Sequence, residues 1–256
     1  MSDDTLHPVA QALLRARRER APVPAAVLAS TLPDAAAAYA VQDQLARTLD
    51  WFGGAPPRHW KSGGPSRAAP QTHAPLPPAG VWVSPAQAGD WPFNLRGIEA
   101  EVALRLGHDV DAERAGQLDV AGAAALIDAM TVSIEVVDSR WAEAYAAPQL
   151  CKLADLQSHG ALVLGAWVGW AARDWAAQVC RVRVGTQPVQ EFRGSHTLGD
   201  PAQVLPAWLR HATRDGGVVP AGTVVTTGTW CGIVPAAAGE QVEVEFPGIG
   251  SASIAF

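Results

Sequence analysis

Hydrophobic positions recur at helical spacing near the start of the chain and alternate at strand spacing after its first third. In LHPVAQALLRARRER, residues 6–20, Val9, Leu13 and Leu14 share a face, while the polar face turns basic towards its end. That pattern predicts a first helix. A second is predicted over PDAAAAYAVQDQLARTLDW, with Asp34 as its cap. From Phe52 to about Asn94, glycine and proline dominate, yet Trp60, Lys61 and Trp82 are embedded there, so an ordered functional loop is expected rather than a linker.

Strand signals take over after Leu95. GIEAEVALRLG and TVSIEVVDS alternate, as do GALVLGAWV, QVCRVRVGTQPVQEF, TVVTTGTW, EQVEVEF and SASIAF. VRVGTQPVQEF reads as a hairpin with Gly185 in its turn. DVAGAAALIDAM reads as a helix burying Leu126, Ile127 and Met130, and DPAQVLPAWLRHATRDG as another ending near Gly216. No regular alternation of strand and helix appears. The expected class is α+β, with a helical region over 1–55 and a β-rich catalytic domain over 56–256.

Composition narrows the function. The chain has 256 residues, 48% hydrophobic and 17% charged, which suits a sizeable core. A net charge of −6 without a basic run argues against nucleic acid as a partner. No apolar run reaches membrane-spanning length, and the N-terminus lacks an apolar signal core, so a cytoplasmic protein is expected. Cys151, Cys180 and Cys231 form no metal-binding spacing and read as reduced and structural; the ten tryptophans read mainly as packing.

Two acidic placements stand out. Glu99 and Glu101 point the same way from one strand while Ile98, Ala100 and Val102 point the other. In TVSIEVVDSRW, Glu135 lies opposite the face of Val132, Ile134 and Val136. Such acids must be solvated, paired or metal-bound. By themselves, Glu99 and Glu101 read most simply as a strand's wet face. With Glu135 they suit a hard divalent cation, whereas zinc would want histidine or thiolate.

GIEAEVALRLG, then IEVVDSRW, then KLADLQSHGALVLG, in that order, resembles the hydratase/decarboxylase branch of the fumarylacetoacetate hydrolase superfamily, from about Ala36 to the C-terminus. The resemblance implies a mixed β-roll with a small N-terminal helical region, assembled as a homo-oligomer. It implies Mg²⁺ or Mn²⁺ on Glu99, Glu101 and Glu135, and Lys61, in HWKSGGPS, as the catalytic lysine, with its pKa expected to be lowered by the cation and a partly dry loop. Ser66, Lys152, Asp155, Ser158 and Thr229 become substrate-binding candidates, with Lys152, Asp155 and Ser158 alternatively supporting the site from behind the groups that touch substrate. Without the resemblance, Lys61 reads as a surface lysine, Lys152 as an ordinary ion-pair partner and the GTWCG stretch as a simple turn.

The implied partner is a small 2-oxo acid or its dienol. The implied reaction is metal-dependent addition of water to a 2-hydroxy-2,4-dienoate of the 2-keto-4-pentenoate type, giving a 4-hydroxy-2-oxo acid in aromatic catabolism, the work of a hydro-lyase. Decarboxylation of a 2-oxo-3-enedioate (4-oxalocrotonate) is an alternative, with Arg67 or Arg140 available for the second carboxylate. A third reading is a non-catalytic 2-oxo-acid-binding relative. It arises because Pro78, in LPPAG, stands where the family carries a proton-transferring aspartate; His73 or a metal-bound water is a candidate replacement.

Overall fold

The computed structural model describes residues 6–256. Helix α1 is Pro8–Glu19, where the His7 ring accepts a hydrogen bond from Val9 N and Pro8 needs no donor of its own. Helix α2 is Ala35–Thr48, and the Asp34 carboxylate accepts from Ala37 N at 2.9 Å. Together they bury Val9, Leu13, Val41 and Leu45 against Trp141, Cys151 and Leu153, which come from much later in the chain.

The glycine- and proline-rich segment is ordered. It supplies strands β1 (His59–Gly63), β2 (Thr72–Pro75), β3 (Val81–Val83) and β4 (Ala86–Gln87). The long strand β5, Gly97–Leu106, is followed by two short helices, α3 (Ala112–Gln117) and α4 (Val120–Ala124). The helix expected over residues 119–130 therefore stops at Ala124, and strand β6 already begins at Ile127 and runs to Val137. Ile127 and Met130 lie on that strand, paired with Leu106 and Leu104 of β5, so cross-strand hydrogen bonding overrides the local helical spacing.

After helix α5 (Gln149–Ala154) come β7 (His159–Leu164), β8 (Val168–Gly169), β9 (Val179–Val184) and β10 (Gln190–Arg193). β9 and β10 form the expected hairpin, with Gly185 at φ +54° in its turn. Helix α6 spans Leu205–Ala212, ending a turn before Gly216, and β11 (Val224–Thr226), β12 (Val234–Pro235), β13 (Gln241–Phe246) and β14 (Gly250–Ala255) complete the chain. No described helix is long and apolar enough to cross a membrane.

Two mixed sheets result. One runs β2-β1-β11-β5-β6-β7-β3, with β12 added to β5 and β8 to β6; the other runs β10-β9-β13-β14-β4. The main core lies between them, with Ile98, Ala100, Val102, Val132, Ile134 and Val136 from the first sheet against Val182, Val242, Val244 and Ile254 from the second. Alternation then turns Glu99, Glu101, Ser133 and Glu135 to the other face of β5 and β6. Register sets Glu99 directly opposite Glu135, and Glu101 opposite Ser133.

Candidate metal centre and catalytic pocket

Three carboxylate oxygens, one each from Glu99, Glu101 and Glu135, lie within 4.8 Å of one another. Each acid is supported differently. Glu101 is buried, and its Oε2 accepts from the Thr226 hydroxyl and, at 2.9 Å, from Gly228 N. Gly228 sits at φ +106°, a conformation that glycine adopts without strain and that aims its N–H at the carboxylate. Ser133 Oγ lies 2.9 Å from Thr226 Oγ1; because Thr226 gives its proton to Glu101, Ser133 donates to Thr226.

Glu135 is fully buried. Its Oε1 accepts from Lys61 Nζ and lies 3.4 Å from His159 Nδ1, whereas Oε2 is buried without a hydrogen-bond partner among the described residues. A partnerless carboxylate oxygen in an all-oxygen cluster fits a hard divalent cation, which would supply the missing contact. Balance of charge points the same way: one lysine offsets only one of three carboxylates.

The electrostatics follow from burial and crowding. Burial, then the neighbouring carboxylates, pushes Glu99 up to about 8 and Glu101 to about 7. Glu99 is only half-buried, so water at the cavity mouth tempers its shift and Glu101 is the firmer case. Burial also pushes Glu135 upward, but Lys61 and His159 outweigh it and hold its carboxyl below the ordinary range. Lys61 is displaced above its usual value, opposite to the expected lowering: burial pulls it down, and Glu135, Glu99 and Glu101 more than offset that.

Lys61 comes from β1, whose parallel pairing with β11 sets it beside Thr226. Its Nζ also donates to Gln157 O at 3.1 Å. That carbonyl belongs to an unusual turn, because Leu156, Gln157 and Ser158 all have φ between +52° and +60°. Three successive non-glycine residues in the left-handed region are costly and persist only where the surroundings hold them. Here Asp155 anchors the turn. It is fully buried and accepts from Arg140 N (3.0 Å), Arg140 Nε (2.8 Å) and Arg17 Nη2 (3.1 Å). Arg140 continues to His159 O at 2.8 Å and Asp138 Oδ2 at 3.2 Å.

Two cavities flank the carboxylates. The larger, about 600 Å³, is lined by Lys61, Glu99, Glu101 and Thr229 and by the small residues Gly63, Gly64, Pro65, Ala69 and Pro70. The smaller, about 210 Å³, is lined by Glu99, Tyr145, Lys152, Ser158 and Ile233 among others. Glu99, Gln149 and Gln157 border both. A third cavity of about 560 Å³, on the outer face of the second sheet, is lined by charges that already pair, Arg183 with Glu243 and Arg181 with Glu245.

Residues 53–254 match the fumarylacetoacetate (FAA) hydrolase C-terminal family. The chain belongs to this family. Curated relatives are similar over part of its length. A 2-keto-4-pentenoate hydratase 2 of Dechloromonas aromatica (strain RCB) is 34% identical over 164 residues, covering 62% of this chain and 60% of that protein. A 2-hydroxyhexa-2,4-dienoate hydratase of Comamonas testosteroni is 31% identical over 160 residues, covering 62% and 59%. The chain thus spans about 60% of the length of these relatives. The 4-oxalocrotonate decarboxylase from Pseudomonas putida G7, complexed with magnesium and adipate, shares the fold: TM-score 0.84 at 20% identity, over 100% of this chain and 98% of that one. The family match and the hydratases among these relatives place the chain in the hydratase/decarboxylase branch of the superfamily.

Against the residues expected of such a family member, the fold gathers some and separates others. Lys61, Glu99, Glu101 and Glu135 converge. Thr229 lines the larger cavity, but its hydroxyl is engaged within its own turn, donating to Gly232 O and accepting from Cys231 N. Ser158 and Lys152 line the smaller cavity. Ser66 is exposed and lines neither. Asp155 lines neither and serves the arginine cluster instead, so of its two expected roles, supporting the site or contacting substrate, the fold leaves it the first.

Arg140 is committed to that cluster, Arg67 Nε donates to Leu198 O, and neither lines either of the two cavities beside the carboxylates. His73 lies across from Ser62, on the opposite face of β1 from Lys61, and its Nδ1 meets Ser62 Oγ at 2.8 Å. Burial, then His211, drives its pKa down to about 3, so it cannot stand in for the acid missing at Pro78. Sequence reasoning gave no role to Thr226, Gly228, Gln157 or Tyr145. The TTG run before the closing GTWCG held a signal for the first two; no local pattern marked the others.

Proposed function

We propose that this chain is a Mg²⁺- or Mn²⁺-dependent hydratase that adds water to a 2-hydroxy-2,4-dienoate and releases a 4-hydroxy-2-oxo acid. The observation that carries the reading is the convergence of Glu99, Glu101 and Glu135 beside Lys61, at the edge of a cavity whose wall is otherwise mostly small and uncharged. Glu99, Glu101 and Glu135 would hold the ion. When bound there, a divalent cation stabilises negative charge developing on the oxygens of a chelated 2-oxo acid.

Lys61 carries the proton. Its ammonium has three N–H groups, and two are spent on Glu135 and Gln157 O, leaving one for the substrate. The carboxylates keep this lysine protonated, so it first donates to the terminal carbon of the dienol while the 2-hydroxyl releases its proton to solvent. The amine left behind takes a proton from the water that adds at C4, passes it to C3 and is reprotonated from solvent. Gly63, Gly64, Pro65, Ala69 and Pro70 line the space for the hydrocarbon tail and limit water there. Ser158 is a substrate hydrogen-bonding group on the opposite side.

Hydration is favoured over decarboxylation of a dicarboxylic substrate because Lys61 is the sole cation lining the larger cavity among the described residues. The test is ultraviolet absorbance of 2-hydroxypenta-2,4-dienoate with purified protein, in Mg²⁺ or EDTA. Metal-dependent loss of the dienol band, with 4-hydroxy-2-oxopentanoate as product and loss of turnover in Lys61→Met, is expected. Retention of that turnover in Lys61→Met would remove the lysine from the mechanism. Release of CO₂ from 2-oxo-3-hexenedioate without any hydration would replace the reading with the decarboxylase.

A further inference from the structure

The two cavities beside Glu99 differ in what they offer a ligand. In the larger, the charged donor is Lys61, with one N–H left, while Gly228 N serves Glu101 and Thr229 serves its own turn. The smaller offers a second cation, a phenol and a buried hydroxyl. Ser158 is 5% exposed and its Oγ has no hydrogen-bond partner. Lys152 Nζ gives one hydrogen bond, to Tyr145 O at 3.2 Å, and keeps two protons. The Tyr145 hydroxyl bonds to no other described residue and lies over the Cα of Gly97, two places before Glu99 on the same face of β5.

We propose that the smaller cavity is the carboxylate subsite: Lys152 and Tyr145 bind the carboxylate of a 2-oxo acid, and its tail extends into the larger cavity. This rests on the 2-oxo-acid reading above and adds a polarity to it. Charge supports the assignment. Three carboxylates with Lys61 and a divalent ion sum to neutrality, so an incoming carboxylate needs a further cation, and among the described residues Lys152 is the sole one lining the smaller cavity. Size supports it as well, since about 210 Å³ suits a compact head group and about 600 Å³ a longer tail.

The local sequence builds the subsite. Helix α5 presents Gln149 and Lys152, one turn apart, on the same side. Gly97 makes room for the phenol: a Cβ there would collide with Tyr145 Oη and come within 2.7 Å of Ile233 Cγ2. Burial, then the Asp138 and Glu99 carboxylates, raises the phenol above its ordinary pKa, so it remains a donor.

The experiment is calorimetry with Mn²⁺ alone, and then with oxalate or 2-oxohexanoate at saturating Mn²⁺. Lys152→Met should weaken oxalate about tenfold, and Tyr145→Phe or Gly97→Ala about threefold, with Mn²⁺ affinity within twofold of wild type. Ala69→Trp, which fills the larger cavity, should weaken 2-oxohexanoate at least tenfold and leave oxalate unchanged. Unchanged oxalate affinity in both Lys152→Met and Tyr145→Phe would overturn the subsite, as would equal losses for the two ligands in Ala69→Trp. If the wild type with Mn²⁺ bound neither acid, the 2-oxo-acid reading would fall and the subsite with it.

Discussion

Asp155→Asn isolates the cluster that holds the left-handed turn. The substitution keeps shape and removes charge where Asp155 receives Arg140 N, Arg140 Nε and Arg17 Nη2. One carboxylate oxygen becomes an NH₂ group, facing donors on a side chain that is itself only 5% exposed. Breaking a buried ion pair by removing one partner costs about 3–5 kcal/mol. Arg140 would retain Asp138 Oδ2 at 3.2 Å and His159 O at 2.8 Å, which places the loss near the lower end, about 3 kcal/mol. Urea unfolding should show this as a lower midpoint at unchanged slope. A second readout is local. With its anchor weakened, the turn at Leu156–Ser158 relaxes towards ordinary backbone, and faster hydrogen exchange across 155–159 should exceed that of β13 and β14. A loss below about 1 kcal/mol with unaltered exchange would refute the claim that this ion pair holds the turn.

Glu101→Gln should lower Mn²⁺ affinity roughly a hundredfold in calorimetry, because the apolar face of β5 is untouched while a charged ligand is lost; wild-type affinity would exclude Glu101 from the site. Divalent affinity should rise between pH 6 and 8, since Glu101 and Glu99 are pushed up to about 7 and about 8 and the ion must displace their protons. Proton uptake by buffer on Mn²⁺ binding checks this, and pH-independent affinity would count against it. Without divalent ions, the same raised values mean that the folded state binds more protons than the unfolded chain between about pH 4.5 and 8. The contribution of these two acids to stability therefore falls as pH rises through that window, while Glu135, shifted down, contributes in the opposite sense at lower pH. Thermal melts with and without Mn²⁺ would show the difference. Gly160→Ala should cost about 1–3 kcal/mol, because its Cβ would lie 2.7 Å from both Val136 O and Asp138 Cβ, where two strands meet at a bulge; a neutral melt would mean that the strands separate freely.

Much of the site was legible because period-two alternation is a local property. Glu99, Glu101 and Glu135 interrupt apolar or β-branched runs, and acids in such positions demand an explanation from a few residues of context. Their meeting is not local: it depends on the register that sets Glu99 opposite Glu135 across strands separated by two short helices. The strands of the glycine- and proline-rich segment were hidden for the same reason. β1 pairs in parallel with β11, far along the chain, and its own residues, HWKSG, carry little strand propensity. At 127–130, alanine-rich flanks imitate a helix until the sheet claims the backbone.

Asp155 shows most clearly where local reading stops. In sequence it is one more acid within a family motif, like Glu99, Glu101 and Glu135, and its short apolar helix gives no sign of two guanidinium groups. Arg17, in the first helix, and Arg140, beyond β6, reach it only in the folded chain. A carboxylate that meets arginine becomes an anchor, whereas one that meets other carboxylates becomes a cation site. The chemistry of the side chain is identical, and the difference lies in what the fold delivers to it. The same argument bears on Pro78. That residue sits exposed in a 3₁₀ turn and lines neither cavity, so a carboxylate expected at this position would have faced solvent. Among the described residues, Lys61 is the one cation lining the larger cavity, so under the proposed hydration both donation and return of the proton would fall to it. A lysine held protonated by three carboxylates suits the first task better than the second. Neutralisation of those carboxylates by a bound cation would remove the attraction that raises Lys61, and so would bring the second within reach.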